Sequence, residues 1–74
     1  MARIGTLIRA VHATNAFVSE TMIGLFESSH NSVSAGDLAI ILQVERRRRG
    51  ATLVEILTTS GTKGWAYLFD FVPV

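Results

Sequence analysis

The sequence predicts an all-β fold, a small barrel of about five to six short antiparallel strands with room for one short helical turn. Short segments rich in β-branched and aromatic residues recur along the chain. Turn-forming residues separate them at intervals of about 8–12 residues. A chain of 74 residues can bury one core only, and closing a sheet into a barrel removes edges that would otherwise aggregate.

Composition supports one folded domain spanning residues 1–74. Hydrophobic residues make up 49% of the chain and charged residues 18%, so apolar material is ample and intrinsic disorder is not indicated. The chain has no cysteine, so packing must hold the fold without disulfides. A positive mean hydropathy in so short a chain points to a partner surface or to a homo-oligomer.

The first predicted strand of the second half starts near Leu38, after the turn residues 34–37. Its apolar and polar residues alternate, which predicts that Ile40, Leu42 and Val44 face the core. The strand runs into residues 46–50, where four arginines repel one another and a glycine follows. These residues are predicted to form a hairpin tip.

The remaining C-terminal elements follow in short order. Residues 51–59 read as a strand with Val54 and Ile56 on its core face, and the glycine-bearing residues 60–64 predict a second hairpin. Residues 64–67 read as the next strand, residues 68–70 as a tight turn or one 3₁₀ turn, and residues 71–74 as a closing strand. Pro73 suits a strand end or edge because it has no N–H to donate.

The N-terminal half gives weaker signals. Residues 3–11 read as a strand. Residues 17–27 fit either strands or a helix, since Val18, Met22, Leu25 and Phe26 fall at helical spacing; Gly24 in their middle favours strands. Residues 28–36 read as a polar loop.

From residue 22 onward the order of elements resembles a Src-homology-3 domain. Residues 22–27 lie where that family has its alanine-leucine-tyrosine-aspartate-tyrosine strand, and Gly36-Asp37-Leu38 matches its diverging turn. Residues 58–65 resemble the distal hairpin followed by glycine-tryptophan, and residues 67–74 resemble the last helical turn and strand. The resemblance covers residues 22–74 and leaves residues 1–21 as an N-terminal extension or an extra strand.

The departures from that family bear on function. Peptide-binding members carry a tryptophan at the start of the third strand and a proline in the last turn, whereas this chain has Ala51-Thr52 and no proline in residues 68–71. Polyproline peptides are therefore not the expected ligand. The closer likeness is to bacterial and phage modules without the peptide groove, which implies a non-catalytic binding or structural role, with a phage or bacterial assembly as its setting.

The arginine run is the first candidate binding site. Arg46, Arg47, Arg48 and Arg49 supply four of the seven basic residues, and guanidinium groups bind carboxylates and phosphates in bidentate fashion. Three interpretations stay open: a solvated loop, a docking site for an acidic protein surface, and a nucleic-acid contact. A protein partner or self-association is preferred over nucleic acid, because the pI of about 8.4 is below the range typical of nucleic-acid-binding domains.

The aromatic residues of the C-terminal strand form the second candidate. Trp65, Tyr67, Phe69 and Phe71 alternate, so a regular strand would place them on one side. Most are expected to fill the core, and Tyr67 is expected to reach the surface, where it could stack on a partner or on single-stranded nucleic acid.

Nothing in the sequence predicts an enzyme, a cofactor or a metal site. His12 and His30 stand without cysteines or a nearby carboxylate pattern, and the carboxylates are scattered singly. No apolar run approaches the roughly 20 residues of a membrane-spanning helix, and the N-terminus lacks the features of a signal peptide. We therefore expect no membrane association and a cytoplasmic location, or a place in a virion if the chain is phage-encoded.

Overall fold

The structure, a computed structural model, describes residues 3–18, 30–47 and 50–74 and is all-β. Its strands form one antiparallel sheet of order β3-β2-β6-β5-β4-β1-β7 that curls into a half-barrel. The predicted fold class and the single helical turn are confirmed, although the described residues hold seven strands instead of five to six. The elements are β1 (Leu7–Ala10), β2 (Thr14–Phe17), β3 (His30–Val33), β4 (Leu38–Glu45), β5 (Leu53–Thr58), β6 (Lys63–Tyr67), a 3₁₀ turn (Leu68–Asp70) and β7 (Phe71–Pro73).

The core-facing side of β4 differs from the prediction at its start. Ile41 is buried with 1% of its surface exposed, whereas Ile40 is 38% exposed on the outer face. Ile41 pairs with Ile56 but Gln43 pairs with Glu55, so Leu42 is the extra residue of a β-bulge. The bulge shifts the alternation by one residue, and Val44 therefore packs against the core as predicted.

The predicted polar loop is the other correction. Residues 30–33 form β3, which pairs along its whole length with β2. The strand is polar because it lies at one end of the sheet, and Val33 is its buried residue. Residues 19–29, which include most of the segment that fits either strands or a helix and the residues 22–27 of the family resemblance, lie outside the described residues. The N-terminal β1 lies between β4 and β7.

Two apolar clusters occupy the two faces of the sheet. The main core lies on the concave face and contains the predicted Val54 and Ile56 together with Phe71. Trp65 is 7% exposed and packs with Leu53 in a second cluster, against which Phe17 lies. Successive residues of a strand point to opposite faces, so Trp65 shares its face with Glu55, its partner in β5, and not with Ala66.

The residue before Trp65 is Gly64, and the close approach of β2 leaves no room there for a side chain. A Cβ atom at Gly64 would lie 2.7 Å from the carbonyl oxygen of Phe17 and 3.0 Å from Ala16. No side chain fits at these distances, so the glycine allows β2 to approach β6 closely. The same approach places Phe17 beside Trp65.

Candidate functional site

The described residues form an apolar groove of about 480 Å³. Its floor is formed by the buried core residues Ile8, Ile41 and Phe71. Its walls include Thr52 from the β4–β5 connection and residues of the 3₁₀ turn. The groove borders the main core, because Ile8, Ile41 and Phe71 belong to that core.

The edge strand β7 borders this groove and offers no backbone donor to an added strand. Val74 donates its N–H to the carbonyl oxygen of Leu7, so the alternate residues Phe71 and Pro73 direct their backbone groups away from β1. The N–H of Phe71 already bonds to the carbonyl oxygen of Leu68, and Pro73 has no N–H. A ligand is therefore expected to insert side chains into the groove and not to extend the sheet along β7.

The 3₁₀ turn supplies the one strongly exposed aromatic side chain among the described residues. Leu68 donates its N–H to the carbonyl oxygen of Thr52 at 3.0 Å, which holds the turn against the β4–β5 connection. Phe69 is 67% exposed at the rim of the groove. Its ring stacks on Tyr67, with 4.8 Å between centroids and 14° between planes.

The expected aromatic row forms only in part: Tyr67 packs against the cluster of Trp65 and stacks on Phe69, whereas Phe71, which follows the 3₁₀ turn, lies apart from them. Trp65 lies in the second cluster, Tyr67 is half-buried against that cluster, and Phe71 lies in the main core. The sequence pattern singled out Tyr67 as the exposed residue and missed Phe69. The available signal was the predicted turn itself, since the middle residue of a single turn at the surface has few neighbours.

The basic connection lies next to the groove. Arg46 and Arg47 are exposed, and Arg48 and Arg49 lie outside the described residues. Ala51, which lines the groove, follows Arg47 by four residues, a separation that spans at most about 14 Å even when fully extended. The Glu45–Leu53 pair places Arg46 and Arg47 at the same end of the β4–β5 pair as Ala51 and Thr52, which line the groove.

A polar cluster links the two ends of the chain. Asp70 is buried, and its two carboxylate oxygens contact His12 Nε2 at 3.0 Å and the hydroxyl of Thr14, which donates at 2.8 Å. His12 lies at the surface with 60% of its side chain exposed, and its carboxylate partner comes from a distant part of the chain. The separation of 58 positions between His12 and Asp70 hides this pairing from any local pattern. Val11 also donates its N–H to the carbonyl oxygen of Asp70, so the cluster fastens β1 and β2 to the 3₁₀ turn.

We expect Asp70→Ala to lower the free energy of unfolding by about 1–3 kcal/mol, because it leaves the half-buried Thr14 hydroxyl without its acceptor. The matched control is His12→Ala, with an expected loss below about 1 kcal/mol, since 60% of the His12 side chain is exposed. Urea denaturation followed by tryptophan fluorescence measures both. Equal losses in the two variants would contradict a fastening role for the Thr14–Asp70 bond.

The described residues hold no group of three or more His, Cys, Asp and Glu side chains that could bind a metal ion. The same part of the chain contains no helix long and apolar enough to cross a membrane. Comparison of the chain with known protein families, with curated proteins and with solved structures gives no match.

Proposed function

We propose that this chain is a Src-homology-3-like, non-catalytic module that acts through protein–protein contacts. Its binding site is the apolar groove, and its partner is a protein segment that presents an apolar side chain next to acidic residues. The observation that carries the proposal is the groove itself, an opening of about 480 Å³ floored by core residues. Such a module suits a small component of a larger phage or bacterial assembly.

The connectivity supports the Src-homology-3-like part of the proposal. Three consecutive strands, β4, β5 and β6, form a meander, a single 3₁₀ turn follows, and β7 returns to lie beside β1. This is the order of distal hairpin, short helical turn and last strand that the sequence resemblance implies. Between β1 and β4 in the chain lie β2 and β3, which pair with each other, and β2 also pairs with β6.

The chemistry of the groove favours a protein ligand. Its floor and most of its walls are aliphatic or aromatic, so it matches an apolar side chain, whose burial contributes about 1.5–3 kcal/mol. A nucleic-acid backbone would place charged phosphates against this surface, where two threonine hydroxyls are the only polar side-chain groups of the lining. Polyproline is not the proposed ligand, because Ala51 and Thr52 stand where the family's peptide-binding members have an aromatic slot.

The arginine run favours an acidic neighbour for that apolar side chain. Exposed guanidinium groups bind carboxylates in bidentate fashion, and Arg46 and Arg47 lie within a short chain length of the groove. Aromatic residues and arginine are the side chains most enriched at the energetic centres of protein interfaces. Phe69 and the arginines therefore complement one another at the rim.

The proposal is tested by panning a random-peptide display library on the purified chain and measuring the selected peptides by fluorescence anisotropy. We expect enrichment of an aromatic or aliphatic residue flanked by Asp or Glu. Phe69→Ala is expected to weaken binding at least tenfold, because it removes the exposed aromatic wall. Replacing Arg46, Arg47, Arg48 and Arg49 with serine is expected to weaken binding and to flatten its dependence on salt.

The matched control is Leu57→Ala, since Leu57 is an exposed apolar residue on the outer face, away from the groove. Its peptide affinity should equal that of the unsubstituted chain. A gel shift with oligodeoxythymidylate at two salt concentrations tests whether the chain binds nucleic acid instead. Tight, salt-sensitive binding of that oligonucleotide, or peptide binding that survives both the Phe69 and the arginine substitutions, would refute the groove as a protein-binding site.

A further inference from the structure

An exposed apolar row crosses the outer face of the sheet, on the side opposite the groove floor. Leu7 pairs with Ile40, and Ile40 pairs with Leu57, so these side chains share one face of three neighbouring strands. Val74 continues the row, because Val74 donates its N–H to Leu7 and follows the Ile8–Pro73 pair by one residue. We call these four residues the outer row; their exposure runs from 38% at Ile40 to 65% at Val74.

The composition and extent of the outer row resemble those of the core of a protein interface. Four side chains from four adjacent strands span about 14 Å between the outermost strands, at the usual spacing of about 4.8 Å. Three charged residues lie at the border of the row, namely Arg9 on β1, Glu55 on β5 and Lys63 on β6, and the exposed Val72, which pairs with Arg9, extends the apolar surface there. An apolar centre with a polar rim is the arrangement found in specific protein interfaces.

The two rim charges Arg9 and Glu55 are placed symmetrically about Ile40. Arg9 lies two residues beyond Leu7, and Glu55 lies two residues before Leu57. Because β1 and β5 both run antiparallel to β4, these offsets point in opposite directions. Arg9 and Glu55 therefore occupy diagonal corners around Ile40.

We propose that the outer row is the contact surface of a homodimer, with a second copy of this chain as its occupant. Consider a two-fold axis that lies in the plane of contact, passes over Ile40 and is perpendicular to the line from Arg9 to Glu55. This axis stacks Ile40 on the Ile40 of the second copy. The same axis sets Arg9 of each copy opposite Glu55 of the other. A contact surface that complements itself in this way is what a two-fold dimer requires.

The available area fits a reversible dimer. A face of four strands and about five residues has a planar footprint of about 300 Å², and its accessible surface is larger because the side chains are uneven. Interfaces below about 600 Å² per partner belong to weak, transient complexes. The net charge of +1 adds little general repulsion between copies. We therefore expect a dimer that forms with rising protein concentration.

Sedimentation velocity over a concentration series from micromolar to millimolar tests the proposal. The mass is expected to rise from 8.1 kDa toward twice that value. Ile40→Lys is expected to raise the dissociation constant at least about thirtyfold, the size of a hot-spot loss. Arg9→Glu and Glu55→Arg should each weaken the dimer several-fold, and the double variant should recover the original affinity.

Phe69→Ala is the control that separates this surface from the groove, and it should leave the dimer unchanged. Circular dichroism on each variant establishes that it is folded before its mass is compared. A monomer of 8.1 kDa throughout the series would refute the proposal. A folded Ile40→Lys variant that dimerises as well as the unsubstituted chain would do the same, as would a dimer abolished by Phe69→Ala.

Discussion

Replacing Ile41 with aspartate is expected to unfold the chain, whereas the same replacement at its neighbour Ile40 leaves the fold intact. Ile41 is 1% exposed in the main core, opposite Ile56. A carboxylate there has no partner and costs several kcal/mol to bury, comparable with the 5–15 kcal/mol that stabilises a typical domain. Ile40 lies on the outer face, where we expect a loss below about 1 kcal/mol.

Circular dichroism and urea denaturation at low micromolar concentration measure this pair without interference from self-association. The milder variant Ile41→Ala keeps the comparison quantitative, with an expected loss of about 2–5 kcal/mol. Ile40→Ala is its control. A larger loss at Ile40 than at Ile41 would mean that β4 presents the opposite face to the core, as its sequence pattern alone predicts.

The limits of β4 could be predicted from the sequence, but its core face could not. A turn precedes Leu38 and charges follow Glu45, and both signals are local. Residues 38–42 are all apolar, so the alternation that predicts the core face depends only on the polar residues Gln43 and Glu45 at the far end of the strand. The bulge at Leu42 then reverses the parity, and a bulge is set by the pairing with β5. The prediction that this side of β4 faces the core is therefore correct for Val44 and wrong for Ile40.

The remaining elements follow the same division between local and long-range signals. β5, β6, the 3₁₀ turn and β7 are short, and each is bounded by its own turn residues, so they lie close to their predicted positions. β3 was missed because its sequence, HNSV, has one apolar residue and forms a strand only through its pairing with β2. The contact between His12 and Asp70 was missed because it joins residues from opposite ends of the chain.

The groove could not be predicted because its lining comes from β1, β4, the β4–β5 connection, the 3₁₀ turn and β7. The arginine run was visible in the sequence, whereas the apolar surface beside it was not. Tyr67 was expected to reach the surface, but Phe69 in the predicted turn is the more exposed of the two. One 3₁₀ turn was enough to reverse the exposure of these neighbouring rings.

Trp65→Ala is expected to lower the free energy of unfolding by about 3–5 kcal/mol, the range for removing a buried aromatic side chain. Trp65 is 7% exposed and packs with Leu53, while Phe17 and Tyr67 lie against this second cluster. Its loss removes the contact that joins β2 to β6 on the outer face. Urea denaturation followed by circular dichroism is the measurement, because Trp65 is the only tryptophan and the variant has no fluorescence signal.

Phe69→Ala is the matched control, since Phe69 is also aromatic and lies only four residues further along the chain. Its ring is 67% exposed, so the expected loss is about 1 kcal/mol, most of it from stacking on Tyr67. A much larger loss for Trp65→Ala than for Phe69→Ala means that the second cluster holds β2 and β3 to the rest of the sheet. If the unfolding midpoints of the two variants fall equally, Trp65 contributes no more than a surface aromatic residue. The backbone pairing of β2 with β6 would then hold β2 and β3 alone.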